Sequence, residues 1–92
     1  MEYEWDPNKA ASNVKKHGIT FREAATVFGD WLSVTFPDPE HSEKENRFLT
    51  IGLSAKNNIL VISHTPRRER TRIISARKAT RVEKKFYEEN QI

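Results

Sequence analysis

Three apolar, β-branched segments lie between Arg47 and Ala76, separated by two connections of five residues each. A parallel crossover needs about a dozen residues, so neighbouring segments here must pair as an antiparallel meander. Arg47 to Leu53 is the first: Arg47, Leu49, Ile51 and Leu53 alternate with Phe48, Thr50 and Gly52. Ser54 to Asn58 reads as a turn, since Asn57-Asn58 tolerates left-handed backbone. Ile59 to Thr65 reads as the most buried strand, stopped by Pro66, and Arg67 to Arg70 as a basic loop. Thr71 to Ala76 is the last strand, with arginines at both ends of Arg72-Ile73-Ile74-Ser75-Ala76-Arg77. Trp31 to Phe36 supplies a further strand, broken by Pro37-Asp38-Pro39.

Helices occupy the two ends. After a short strand, Tyr3-Glu4-Trp5, Asp6 is an N-cap and Pro7 sits at the first helical position, where its missing N–H is not needed. The helix runs to about His17, with Ala10, Val14 and His17 on one face, and Gly18 ends it as a left-handed cap. Thr20 and Glu23 predict a capping box for a second helix, whose stripe is Phe21, Ala24, Ala25 and Phe28. A final helix spans Lys78 to about Asn90, with Ala79, Val82 and Phe86 inward and Arg81, Lys84 and Lys85 outward. The order β-α-α-β-β-β-β-α predicts an α+β fold: a small antiparallel sheet of four or five strands flanked by helices. At 92 residues it is read as one domain, residues 1–92.

Charge narrows the function. Arg67 to Lys85 holds nine Lys/Arg and two acids, a local charge of +7, whereas Asp30 to Glu45 carries −4. Such a basic third suits a nucleic acid or an acidic protein partner. The chain has no cysteine, which excludes disulfides and thiolate metal sites. The N-terminus lacks a signal pattern and Ile59-Leu60-Val61-Ile62 is too short to span a bilayer, so a cytoplasmic protein without membrane contact is expected. No phosphate-binding loop, dinucleotide fingerprint, nucleophile elbow or zinc-protease helix is present.

The arginines Arg67, Arg68, Arg70, Arg72 and Arg77 carry planar forks suited to phosphate and to charge developing on a phosphorane. His17, Glu43 and Glu45 can move protons; His41, Glu43 and Glu45 lack the spacing of a metal site, and His64 fits core packing. Together these permit RNA cleavage with neither metal nor cofactor. A base takes the 2′-OH proton, the oxygen attacks phosphorus in line, arginines hold the charge, and an acid protonates the 5′-oxygen. The products are a 2′,3′-cyclic phosphate and a 5′-OH. The alternative is a non-catalytic basic module that binds nucleic acid or an acidic protein.

An ordered set of motifs then resembles the BrnT family of bacterial toxins along nearly the whole chain. It comprises Trp5-Asp6-Pro7-x-Lys9, Asn13-x-x-Lys16-His17-Gly18-Ile19-x-Phe21, Ala24-Ala25-x-Val27-Phe28-x-Asp30, His41-x-x-x-Glu45-x-Arg47-Phe48 with Ile51-Gly52, and Arg72 to Ala79 with Glu83 and Tyr87. The resemblance implies a RelE-like ribonuclease toxin of a type II toxin–antitoxin system. It also implies a BrnA-like antitoxin with a ribbon-helix-helix part, in a hetero-oligomer that binds operator DNA and represses its own operon. Carried onto this sequence, with the charge pattern above, the catalytic candidates are His17, Glu45, Arg67, Arg72 and Arg77. The RNA-binding candidates are Lys16, Arg47, Arg68, Arg70, Lys78, Arg81 and Tyr87. Asn46 stands where relatives are expected to carry an acid, so an acid's role falls to Glu45 or Glu43.

Overall fold

In chain order the elements are β1 (Glu2–Glu4), α1 (Pro7–His17), α2 (Phe21–Thr26), β2 (Val34–Pro37), β3 (Phe48–Leu53), β4 (Ile59–Arg67), β5 (Arg70–Lys78) and α3 (Arg81–Glu89). They come from a computed structural model that describes residues 2–42 and 45–91. The helix ends follow their chemistry. The Asp6 carboxylate accepts the Asn8 N–H at 2.8 Å, Pro7 opens α1, and Gly18 closes it at φ +69°. Thr20 caps α2 by accepting the Glu23 N–H. The expected capping box is incomplete there, because the Glu23 carboxylate turns away to accept from Ser54 and Asn58. A complete box forms at α3 instead, between Thr80 and Glu83.

The sheet has the order β1-β5-β4-β3-β2. The four strands from β2 to β5 form the expected antiparallel meander. β1 departs from it by joining β5 in parallel. No turn connects those two strands, so nothing forces an antiparallel partner, and β1 takes the free edge of β5 in the direction that leads into α1. β4 continues through Pro66 to Arg67, and β5 begins at Arg70, so the basic loop shrinks to Arg68-Glu69. Pro66 is tolerated because β3 ends opposite His64, leaving that stretch of β4 paired on one side only.

Register assigns each residue to a face. Thr50, Ile62 and Ala76 lie in one row, Phe48, His64 and Ile73 in another, and both point at α1 and α2. There they meet Ile19, Phe21, Ala24 and Val27 in the main core. The opposite face carries Ile51 and Val61, covered by Ala79 from the turn before α3 and by Tyr87 of α3. α3 rotates differently from the amphipathic reading: Tyr87 is 7% exposed, while Val82 is 76% exposed. The Tyr87 hydroxyl donates to Asp30, which also takes the Leu53 N–H, and this bond selects the inward face of the helix. Lys78 belongs to β5 rather than to this helix.

α1 shows a similar substitution of polar for apolar. Val14 is 44% exposed and Asn13 only 5%. Beyond β1, the edge of β5 has no strand beside it, and Asn13 takes that place. Its amide donates to the Ala76 carbonyl at 2.8 Å and to Ile19 at 2.9 Å, and its Oδ1 accepts the Ala76 N–H at 3.1 Å. One side chain thus satisfies the edge that a strand would otherwise pair. Trp31 is 93% exposed and lies before β2, outside the sheet.

Candidate active site

α3 covers only part of its face of the sheet. The hairpin end of that face carries Ser63 and Thr65 from β4, Arg70, Arg72 and Ser75 from β5, and Glu2 and Glu4 from β1. The alternation of β1 explains the last pair: Tyr3 and Trp5 face the core, against Phe28 and Phe21, so Glu2 and Glu4 face the arginines. Glu4 accepts from Arg72 Nε at 2.9 Å, and Glu2 lies 3.5 Å from Arg70 Nε. Among the described residues only Nε of Arg72 is engaged, which leaves both terminal amines to a ligand.

Arg77 is placed differently. Its two terminal nitrogens donate to the two oxygens of Glu83 at 2.7 and 2.8 Å. The Thr80 N–H also donates to Glu83. The Arg77 bond holds the Glu83 carboxyl down to about 2 against the opposing effect of burial, and the same bond raises the Arg77 pKa. This pair fastens β5 to α3, with both terminal nitrogens of Arg77 committed to Glu83. Tyr87 is likewise turned inward; burial first, and then its bond to Asp30, push its hydroxyl up to about 12. Both side chains are thus held by acids of the fold, Arg77 by Glu83 and Tyr87 by Asp30.

The loop before β3 reaches the same place from the other side. Thr65 is the cross-strand partner of Arg72, and its hydroxyl donates to the Asn46 carbonyl at 2.7 Å. Asn46 is thereby tied to the residue paired with Arg72, and its neighbours Glu45 and Arg47 are bonded to each other at 3.3 Å. Glu43 lies outside the described residues.

At the hairpin, Glu2, Glu4, Arg67, Arg68, Glu69 and Arg70 line a recess of about 540 Å³. Arg68 adopts φ +59°, a conformation that favours glycine. Farther along β5 a cleft of about 250 Å³ is lined by Lys9, Ser12, Asn13, Lys16, His17, Ile74 and Ser75. Ile74 reaches it as the extra residue of a bulge, since Ser75 pairs with Ser63 and Ile73 with His64. Ser75 lies between Arg72 and Arg77 on β5, so the His17 cleft adjoins the arginine row. The structure thus gathers Arg67, Arg68, Arg70, Arg72, Glu45 and Arg47 at the hairpin end, with Lys16 and His17 next along β5. Lys78 and Arg81 stand apart, at the end of β5 and the start of α3.

His64, by contrast, is a core residue. Burial lowers its pKa to about 4, and its Nε2 is bonded to Thr50 at 2.7 Å. Among the described residues no group of three or more His, Asp or Glu side chains is gathered as a metal site would require. Glu4 is the functional position that sequence reasoning passed over. Its signal was available: an acid two residues from another acid, alternating with aromatics, places a row of carboxylates on one side of a strand.

The model of the ribonuclease toxin BrnT of type II toxin–antitoxin systems matches residues 5–83. The chain belongs to the BrnT family. A crystal structure of the Brucella abortus ribonuclease toxin BrnT superposes with a TM-score of 0.68 at 29% identity, over 88% of this chain and 99% of that one. No curated protein matches in sequence. The family is one of ribonuclease toxins, and the Brucella abortus protein shares the fold of the present chain. A type II system pairs such a toxin with a protein antitoxin and directs it at RNA. Among the described residues no helix is long and apolar enough to cross a membrane.

Proposed function

We propose that this BrnT toxin is a metal-independent endoribonuclease whose active surface is the hairpin end of the sheet around Arg72. The observation that carries the reading is the Arg72–Glu4 pair. One nitrogen is fixed by a carboxylate, and two amines are left for phosphoryl oxygens. Arg72, with Arg67 at the hairpin, stabilises the charge that builds on phosphorus as the 2′-oxygen attacks. His17 and Glu45 flank that row and are the groups placed to move protons: one removes the 2′-OH proton, the other protonates the departing 5′-oxygen. Neither ring nitrogen of His17 has a hydrogen-bond partner among the described residues, so either is open to a substrate. Lys16, Arg47, Arg68 and Arg70 line the path of the flanking strand. Arg77 positions β5 against α3 rather than meeting the scissile phosphate.

The same reading places the toxin in the cytoplasm, where it cuts RNA and halts translation. A BrnA-like antitoxin with a ribbon-helix-helix part neutralises it, and the complex represses its own operon by binding operator DNA. Partner-free protein should cleave end-labelled single-stranded RNA in EDTA, leave a matched DNA oligonucleotide intact, and yield cyclic-phosphate ends. Arg72→Ala should slow cleavage by about 100-fold or more, the scale of losing one donor to a developing oxyanion. Cleavage of DNA, or an Arg72→Ala variant as fast as the wild type, would overturn this mechanism.

A further inference from the structure

The outward side of α3 runs against the rules that stabilise a helix. It opens with Arg81, and its last turn has no basic residue but ends in Glu88 and Glu89. The helix dipole favours the reverse. Lys84 and Lys85 precede Glu88 and Glu89 by four residues, the poorer order for such pairs. Among the described residues none of these four side chains is in an ion pair. Val82, Lys85, Phe86 and Glu89 fall at i, i+3, i+4 and i+7, so one stripe carries two exposed apolar groups between charges of both signs. Phe86 meets Phe36 of β2 edge-on at 6.2 Å. Gln91 donates to the Leu32 carbonyl at 3.4 Å, which brings Leu32 and exposed Trp31 to the end of the same helix. Among the described residues β2 pairs only with β3, at the edge of the sheet.

Apolar side chains and uncompensated charges of both signs suit a protein. A nucleic acid would meet Glu88 and Glu89 and would leave Val82 and Phe86 unmatched. We infer that this stripe is the docking surface for the antitoxin, through an amphipathic segment. Its apolar side chains lie on Val82 and Phe86, an acid faces Lys85, and a base faces Glu89. The inference rests on the toxin–antitoxin reading and adds where and by what chemistry the partner binds. It also gives a route to neutralisation. α3 lies on the arginine side of the sheet, fastened there by Arg77 and Glu83, so a segment seated on it leads onto the Arg72 surface.

The discriminating variant exchanges the charges of the stripe: Lys85→Glu and Glu89→Lys together. Composition and net charge are unchanged, and the helix gains a favourable dipole and pair order. Two copies of this chain pairing through antiparallel α3 helices would still match after the exchange; an antitoxin would not. The probe is the purified antitoxin of the pair, titrated against the full toxin chain. Expected are an unchanged or higher Tm, unchanged RNA cleavage by the free toxin, and antitoxin affinity weakened by about 100-fold, as for loss of a central interface cluster. Val82→Asp, at a site needing no repacking, should weaken affinity by about tenfold on its own. Wild-type affinity in the exchanged variant, or a free toxin that sediments as a dimer through this stripe, overturns the assignment. Failure of the wild-type toxin to bind the antitoxin overturns instead the toxin–antitoxin reading on which it stands.

Discussion

At His64 the imidazole lies edge-on to Phe28, with centroids 4.9 Å apart, and stacks on Phe48 at 6.1 Å. Its neutral form is favoured by burial, which takes the pKa from an ordinary 6.5 to about 4. The unfolded chain therefore binds the extra proton first as pH falls. The stability from this group is complete above pH 6.5 and is lost as pH drops toward 4, by roughly 3 kcal/mol in all. Urea unfolding across that range should show the slope, and His64→Gln should flatten it; an unchanged slope would mean that another group titrates there. Gly52 makes a second claim at this scale. A Cβ there would come within 2.8 Å of Val27 Cγ1 and 2.9 Å of Ser33 Cβ, and Val27 is fully buried. Gly52→Ala should lower stability by about 1–3 kcal/mol, read as a lower urea midpoint with unchanged slope. The sequence shows Gly52 only as one member of an alternation. What makes it obligatory is a helix whose approach depends on the whole fold. The buried Asn13 was hidden for a related reason: periodicity favours Val14, and only the uncovered edge of β5 creates a need for an amide.

The Thr80–Glu83 box was overlooked because the last helix was read as starting at Lys78. Most other helix caps and the meander were legible because local chemistry decides them: Asp6-Pro7, Gly18, Thr20, and connections too short for a crossover. Elements decided by distant partners were not. The inward face of α3 is chosen by Asp30, far away in sequence, and the parallel β1 by an edge that exists only once β5 is in place. The β4–β5 hairpin lies between these cases. Its arginines announce phosphate chemistry, yet the turn is tighter than Pro66 suggested, and it holds Arg68 in a left-handed backbone. Non-glycine residues there carry about 1–2 kcal/mol of strain, part of which glycine returns through its freer unfolded chain. Arg68→Gly should therefore raise stability by about 0.5–1 kcal/mol while weakening RNA binding, seen as a higher Tm beside a lower affinity. A lower Tm would show that the Arg68 side chain supports the hairpin. The strain marks a position where a cation is kept at the expense of stability.

For the whole molecule, a formal charge of only +3 is spread over a strongly basic third and a compensating set of acids. The candidate site was legible as an arginine cluster, but its electrostatics were not, because they depend on which acids the fold brings to it. β1 delivers Glu2 and Glu4 onto Arg70 and Arg72, so two charges of the proposed RNA surface are already paired within the fold. The two acids do different work. Glu4 fixes Arg72 with a 2.9 Å bond on a half-buried surface, whereas Glu2 stands 3.5 Å from Arg70 with both groups mostly in solvent. Exposed pairs of the second kind add little to stability, but a carboxylate there competes with a phosphate for the same guanidinium. Glu2→Gln should leave Tm within about 1 °C and tighten binding of a non-cleavable DNA oligonucleotide about threefold to tenfold at low salt. The gain should shrink as salt screens the site, since the Debye length falls from about 10 Å at 0.1 M to about 3 Å at 1 M. Affinities for wild type and variant measured side by side across that range decide the matter. Curves that coincide at low salt would place the bound strand away from β1 and Arg70, leaving Arg72 and the His17 cleft as its path.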